Sequence, residues 1–144
     1  MILLDANLLL YAYVNDFPQH AAAKTWLEET LQSGDEIGLS WQVITAFVRI
    51  GTNPKVFAKP MTIEQVESKL GKLLAYPKVK VIVPTSNHWQ IFIKLLKDAN
   101  LRADLVMDAH LAALAIEYNA RIASTDKDFR LFTNLNHFNP LEEN

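Results

Sequence analysis

Four apolar residues, Met1 to Leu4, run straight into the carboxylate of Asp5, and a second apolar stretch over residues 6–15 follows with the spacing of a helix. A run that short is a buried strand, so Asp5 falls where a strand hands over to a helix. The arrangement recurs along the chain. Ile37 to Ser40 reads as a strand leading into a helix over Trp41 to Ile50, which Gly51 and the Asn53-Pro54 pair end. Lys80 to Val83 is a β-branched strand ahead of Pro84 and a helix from Ser86 to about Asn100. A further helix ends near Asn119, and Arg121 to Ser124 is the fourth strand. Two more helices are expected, one from Pro18 to about Ser33 and one over 62–76. Strands alternating with helices call for a mainly parallel sheet covered on both faces. The expected fold is therefore α/β, a three-layer α/β/α sandwich with four or five strands and right-handed crossovers.

The 144 residues fit a single domain, 1–144, with no linker or repeat. Half are hydrophobic and about a fifth charged, which argues against disorder. The chain has no cysteine, which excludes disulfides, thiolate zinc sites and cysteine nucleophiles. An acid at position 5 does not suit a signal peptide, and no segment approaches the roughly 18 apolar residues of a membrane span, so a cytoplasmic location is expected. The net charge of −2 argues mildly against strong non-specific nucleic-acid binding but leaves room for a local basic rim. Arg49, Lys55 and Lys59 form one such group, and Lys94, Lys97 and Arg102 another.

In a parallel sheet, ligands bind beyond the carboxyl ends of the strands. Asp5 follows the first strand and Asp126 follows the fourth, so both emerge at that edge. Asp108 stands at or near the start of the helix preceding the fourth strand, and Asp104 shares its face if the helix already runs through it. Such carboxylates repel one another unless a hard divalent cation sits among them, and oxygen donors suit Mg2+ or Mn2+. Metal-assisted phosphodiester hydrolysis is the matching chemistry. Taken singly, each acid also fits a structural role: Asp5 as a helix N-cap, Asp126 and Asp128 as turn residues. Spacing alone leaves both readings open.

These segments resemble a known family. MILLDANLLLYAY is similar to the opening of PIN domains, and MDAHLAALAIEYNARIASTDKDF to the late part of the PIN domain in VapC proteins. SWQVITAFVRIGTNPKVF is similar to the family's central helix and the turn after it. The likeness runs from Met1 to about Pro140. It implies a metal-dependent endoribonuclease toxin that cuts transfer or ribosomal RNA and is restrained by a VapB-type antitoxin. It further implies Asp5, Asp108 and Asp126 as metal ligands, with Asp104 as a supplement and Asn7 and Thr125 in support. Asp128 is expected to brace the turn before Phe129, and Arg49 to contact RNA. A homodimer is expected on the same basis and from the high apolar content.

One position departs from the family. Where it carries a glutamate directly before Phe-Val-Arg, this chain has Ala46. Two origins are open, a naturally weakened member or a replacement made to silence a toxin, and the retained acids favour the second. An impaired nuclease is expected, or alternatively a PIN-fold module that binds antitoxin or RNA without cutting. A phosphoacceptor receiver domain ranks last, because the third strand ends in Val83-Pro84-Thr85 with no acid. His20, His88, His110 and His137 show no ligand-like pairing in sequence, and Trp26, Trp41 and Trp89 fit the core better than a base-stacking platform.

Overall fold

Every residue of the first two strands is buried, and successive strand residues point to opposite faces, so both faces of the sheet centre are covered. The computed structural model of the chain, which describes residues 1–100 and 102–142, shows how. In chain order the elements are β1 (Ile2–Leu4), α1 (Ala6–Tyr13), α2 (His20–Ser33), β2 (Ile37–Ser40), α3 (Trp41–Gly51), α4 (Ile63–Leu74), β3 (Val79–Ile82), α5 (His88–Asp98), α6 (Val106–Glu117), β4 (Arg121–Ala123) and β5 (His137–Phe138). The strands form one sheet in the order β3-β2-β1-β4-β5, and all pairs are parallel. Helix α1 packs against α2 and α3, while α5 packs against α6. The result is the three-layer α/β/α sandwich, with five strands. No helix among the described residues is long and apolar enough to cross a membrane.

Side chains at the strand–helix joints start the helices. Asp5 accepts the amide of Ala6 at 2.7 Å to cap α1, and Ser40 accepts that of Val43 at 3.2 Å to cap α3. At α4 the hydroxyl of Thr62 accepts the Gln65 amide while the Gln65 side chain accepts the Thr62 amide, a reciprocal cap. Gly34 ends α2 at φ +83°, a backbone that favours glycine. β2 lies close against β1 at Gly38, where a Cβ would stand 2.5 Å from a Leu3 methyl.

Several expectations are corrected. Helices α1, α2 and α5 are each about two residues shorter at one or both ends than their apolar patterns imply. The fifth strand that the fold allowed for is β5, whose position was not located in the sequence. Trp41 and Trp89 are 58 % and 68 % exposed rather than core, and both stand in the first turn of their helices. Trp26 does pack on the core, edge-on to Phe138.

Leu3, fully buried in the central strand, tests this packing. Leu3→Ala should destabilise the fold by about 2–5 kcal/mol, the range for truncating a buried leucine, read as a lower urea midpoint at unchanged slope. An unchanged midpoint would refute the placement of Leu3 at the sheet centre.

Candidate metal centre at the sheet edge

The strand order reverses at β1, which has β2 on one side and β4 on the other, and a crevice opens where connections leave in opposite directions. Residues after β1 and after β4 meet there. Leu4 lies opposite Ala123, and the Asp5 amide donates to the Ala123 carbonyl at 3.1 Å. The next residue of β4's exit, buried Ser124, joins the two ends. Its hydroxyl donates to Asp5 Oδ2 at 2.6 Å and accepts the Asp126 amide at 3.0 Å. Asp126 Oδ1 in turn accepts the Asp128 amide at 2.8 Å. The sequence Ser-Thr-Asp-Lys-Asp thus forms two successive side-chain turns, each closing on the amide two residues ahead.

Asp108 enters from the first turn of α6. One carboxylate oxygen from each of Asp108, Asp126 and Asp128 lies within 4.8 Å of the others. Asp5, Asp108 and Asp126 also line one open cleft of about 530 Å³ together with Asn7, Ala46 and Arg49. Among the described residues none of these four aspartates has an ion-pair partner. The crowding is visible in their acidities. Burial first, and then the charges of Asp126, Asp5, Asp128 and Asp104, push the Asp108 carboxyl up to about 7. Burial also raises Asp5, against the hydrogen bonds from Ser124 and Ala6.

Asp5, Asp108 and Asp126 are thus brought together. Asp104 stands apart: it lies in a 3-10 turn, Ala103–Leu105, before α6 begins, and pairs with Arg102 at 2.6 Å. Asp128 is not the brace expected of it. Asp126 caps the 3-10 turn Lys127–Leu131, and Asp128 joins the acid group instead. Thr125 is half-buried with no side-chain hydrogen bond among the described residues, whereas its neighbour Ser124 holds both acids. A serine at a strand end, two residues before an acid, is the signal that points to it.

Helix α3 supplies the opposite wall. Gln42 stands one turn before Ala46, and its amide donates to the Met107 carbonyl at 3.3 Å, tying α3 to the start of α6. Ala46 occupies the wall facing the acids, and Arg49 stands exposed at its rim. The histidines also require correction, since His88 Nε2 and His110 Nδ1 meet at 2.9 Å.

Fold and cleft together define an α/β domain with unpaired carboxylates gathered at the switch point of a parallel sheet. The PIN domain family model matches residues 2–134. The chain is 36% identical to ribonuclease VapC33 of Mycobacterium tuberculosis over 143 residues, 99% of this chain and 100% of that one. It is 38% identical to ribonuclease VapC37 of the same organism over 132 residues, 92% of each. The crystal structure of VapBC2 from Rickettsia felis, bound to a DNA fragment from their promoter, contains a chain of the same fold with TM-score 0.70, at 23% identity over 96% of this chain and 98% of that one. The chain belongs to the PIN-domain family, in its VapC branch.

The raised pKa of Asp108 has a consequence for stability in the absence of divalent cations. Folded Asp108 holds its proton up to about pH 7, whereas the unfolded carboxyl releases it near 4. The folded state therefore binds more protons across that window, and stability falls as pH rises from about 4 to 7. Asp108→Asn should remove this dependence and stabilise the chelator-treated protein by about 1 kcal/mol at pH 8, a figure discounted for partial exposure. Thermal melts at pH 4 and pH 8 measure the difference, and an equal effect at both would contradict the crowding.

Proposed function

We propose that this chain is a metal-dependent endoribonuclease toxin of a VapBC-type module, with Asp5, Asp108 and Asp126 holding Mg2+ or Mn2+. The observation that carries the reading is the convergence of carboxylates without a cationic partner. The donor set fits a hard divalent ion. All the donors are carboxylate oxygens, and among the described residues neither oxygen of Asp108 accepts a hydrogen bond. The names of the relatives as ribonucleases support an RNA substrate, and the family resemblance points to transfer or ribosomal RNA as its class. The VapBC complex of like fold supports a VapB-type antitoxin as partner.

Such an ion supplies charge neutralisation on the phosphodiester and a more acidic attacking water. The chain's own residues do the positioning. Ser124 and the Ala6 amide hold Asp5 in one orientation, and Ser124 fixes the backbone at Asp126. Asp128 adds negative charge beside Asp108 and Asp126. Arg49 at the rim engages a phosphate of the RNA backbone, and exposed Asn7 orients the substrate at the mouth. Ala46 leaves the α3 wall without the carboxylate of the family pattern, and we read the chain as impaired for this reason. That wall also favours a second reading, a PIN module that holds antitoxin or RNA without cutting.

Cleavage of structured RNA in Mg2+ or Mn2+ separates the two. Ala46→Glu should raise the rate and the Mn2+ affinity by about 10–100-fold, the usual worth of a group supporting a metal site, while Asp126→Asn should abolish cleavage in both backgrounds. Equal rates with and without Glu at 46 would refute the impairment, and undiminished cleavage by the Asp126 variant would move the site elsewhere.

We further propose that the chain acts as a homodimer, supported by the exposed apolar residues Trp41, Val83, Trp89 and Met107. Light scattering at tens of micromolar should give twice the 16.3 kDa chain mass, and a monomer mass would overturn it.

A further inference from the structure

We propose that His88 and His110 form a second metal site, separate from the acid cleft, that takes a borderline divalent cation such as Zn2+.

His88 opens α5 and His110 lies in the second turn of α6, and the packing of the two helices brings the rings together. Nε2 of His88 and Nδ1 of His110 are 2.9 Å apart, with ring planes at 75°. Behind His88 stands Glu117, whose side chain is 1 % exposed. Its Oε1 accepts the Thr85 amide at 2.7 Å and the Thr85 hydroxyl at 2.6 Å, and its Oε2 contacts His88 Nδ1 at 2.5 Å. The Thr85 and His88 hydrogen bonds outweigh burial and hold the Glu117 pKa below the usual carboxylate range, so it is a carboxylate and can only accept. As a neutral imidazole, His88 carries its proton on Nδ1 beside this carboxylate and turns the Nε2 lone pair toward His110. A carboxylate that fixes the tautomer of an imidazole in this way is the usual support of a metal-binding histidine.

Without a cation, His110 fills the gap by donating its Nδ1 proton to His88 Nε2. Metal entry moves that proton to Nε2 of the same ring, so His110 stays neutral and both facing lone pairs become ligands. Two imidazole nitrogens on a tetrahedral zinc ion stand about 3.3 Å apart with their lone pairs meeting at about 109°, so the pair must open by about 0.4 Å and both rings must turn toward the ion. Phe92 lies parallel to His88, within 8° and at 6.0 Å between centroids, and keeps that ring in place. Two neutral imidazoles in front of a buried carboxylate give the site a net charge of −1. Among the described residues no lysine or arginine pairs with Glu117. The His88 side chain is 16 % exposed, so water can complete the coordination sphere.

Ligand hardness separates the two sites. Imidazole prefers Zn2+, Co2+ or Ni2+ over Mg2+, while the aspartates suit the harder ion. The test is a Zn2+ titration of the full chain by calorimetry in excess Mg2+, with Co2+ absorption reporting tetrahedral nitrogen ligation. One Zn2+ equivalent should remain bound. His110→Gln and His88→Gln should abolish it, Glu117→Gln should weaken it about 10–100-fold, and the double variant Asp108→Asn, Asp126→Asn should retain it. Nitrogen-15 spectra of the unmodified chain give a check that needs no variant: Zn2+ should shift His88 Nε2 and His110 Nδ1 and leave His20 and His137 in place. The proposal is overturned if Zn2+ does not bind, if it is lost with the aspartates instead of the histidines, or if it shifts other imidazoles.

Discussion

The parallel pairing of β1 with β4 is the constraint on which the remainder of the structure depends. It places Leu4 opposite Ala123, and so brings together the exits of two strands, 119 residues apart in sequence, at the Asp5–Ser124 hydrogen bond. It also sets the point at which the strand order reverses, and therefore where the crevice opens. A shift of this register by one residue would turn Leu3 and Ile122 to the opposite faces and draw Ser124 away from Asp5. Core and cleft are thus fixed by the same ladder.

The cleft works against the fold. Asp5 and Asp108 both have raised pKa values because burial and neighbouring like charges disfavour their ionised forms. What offsets this is the apolar centre, where Leu3, Leu4, Ile37, Leu39, Phe47 and Ile122 are essentially fully buried. Local hydrogen bonding contributes as well. Asp5 caps α1, Ser124 holds two acids, and Asp126 closes a turn, so the residues that create the repulsion also organise the backbone around it. Ala46 relieves part of the crowding on the α3 wall, since a carboxylate there would face Asp5, Asp108 and Asp126 across the cleft.

The termini of α6 have different surroundings. Its first turn carries Asp108 into the cleft, while its last turn carries Glu117 to the link between β3 and α5, where it binds Thr85 and His88. Tyr118, just beyond, donates its hydroxyl to the Val83 carbonyl at 2.7 Å. One helix therefore joins the acid cleft to the start of α5.

Strand and helix order was legible in the sequence because burial on both sheet faces leaves short apolar runs, and capping leaves Asp5, Ser40 and Thr62 at the joints. The edge at which Asp5 and Asp126 emerge followed from the same pattern, since the carboxyl ends of parallel strands lie on one side. β5 was not legible, because two residues carry no periodicity. Trp41 and Trp89 misled because apolar spacing records a helix face without recording whether a neighbouring layer reaches it. Asp126 both caps the turn and keeps its place in the acid group, and Asp128 joins that group, because turn propensity does not say which of two acids accepts the amide. Ser124 bridging Asp5, the approach of Asp108 to Asp128, and the meeting of His88 with His110 were decided only by tertiary structure. Each joins residues on different elements, and their separation is set by helix packing and strand register, which local sequence does not encode.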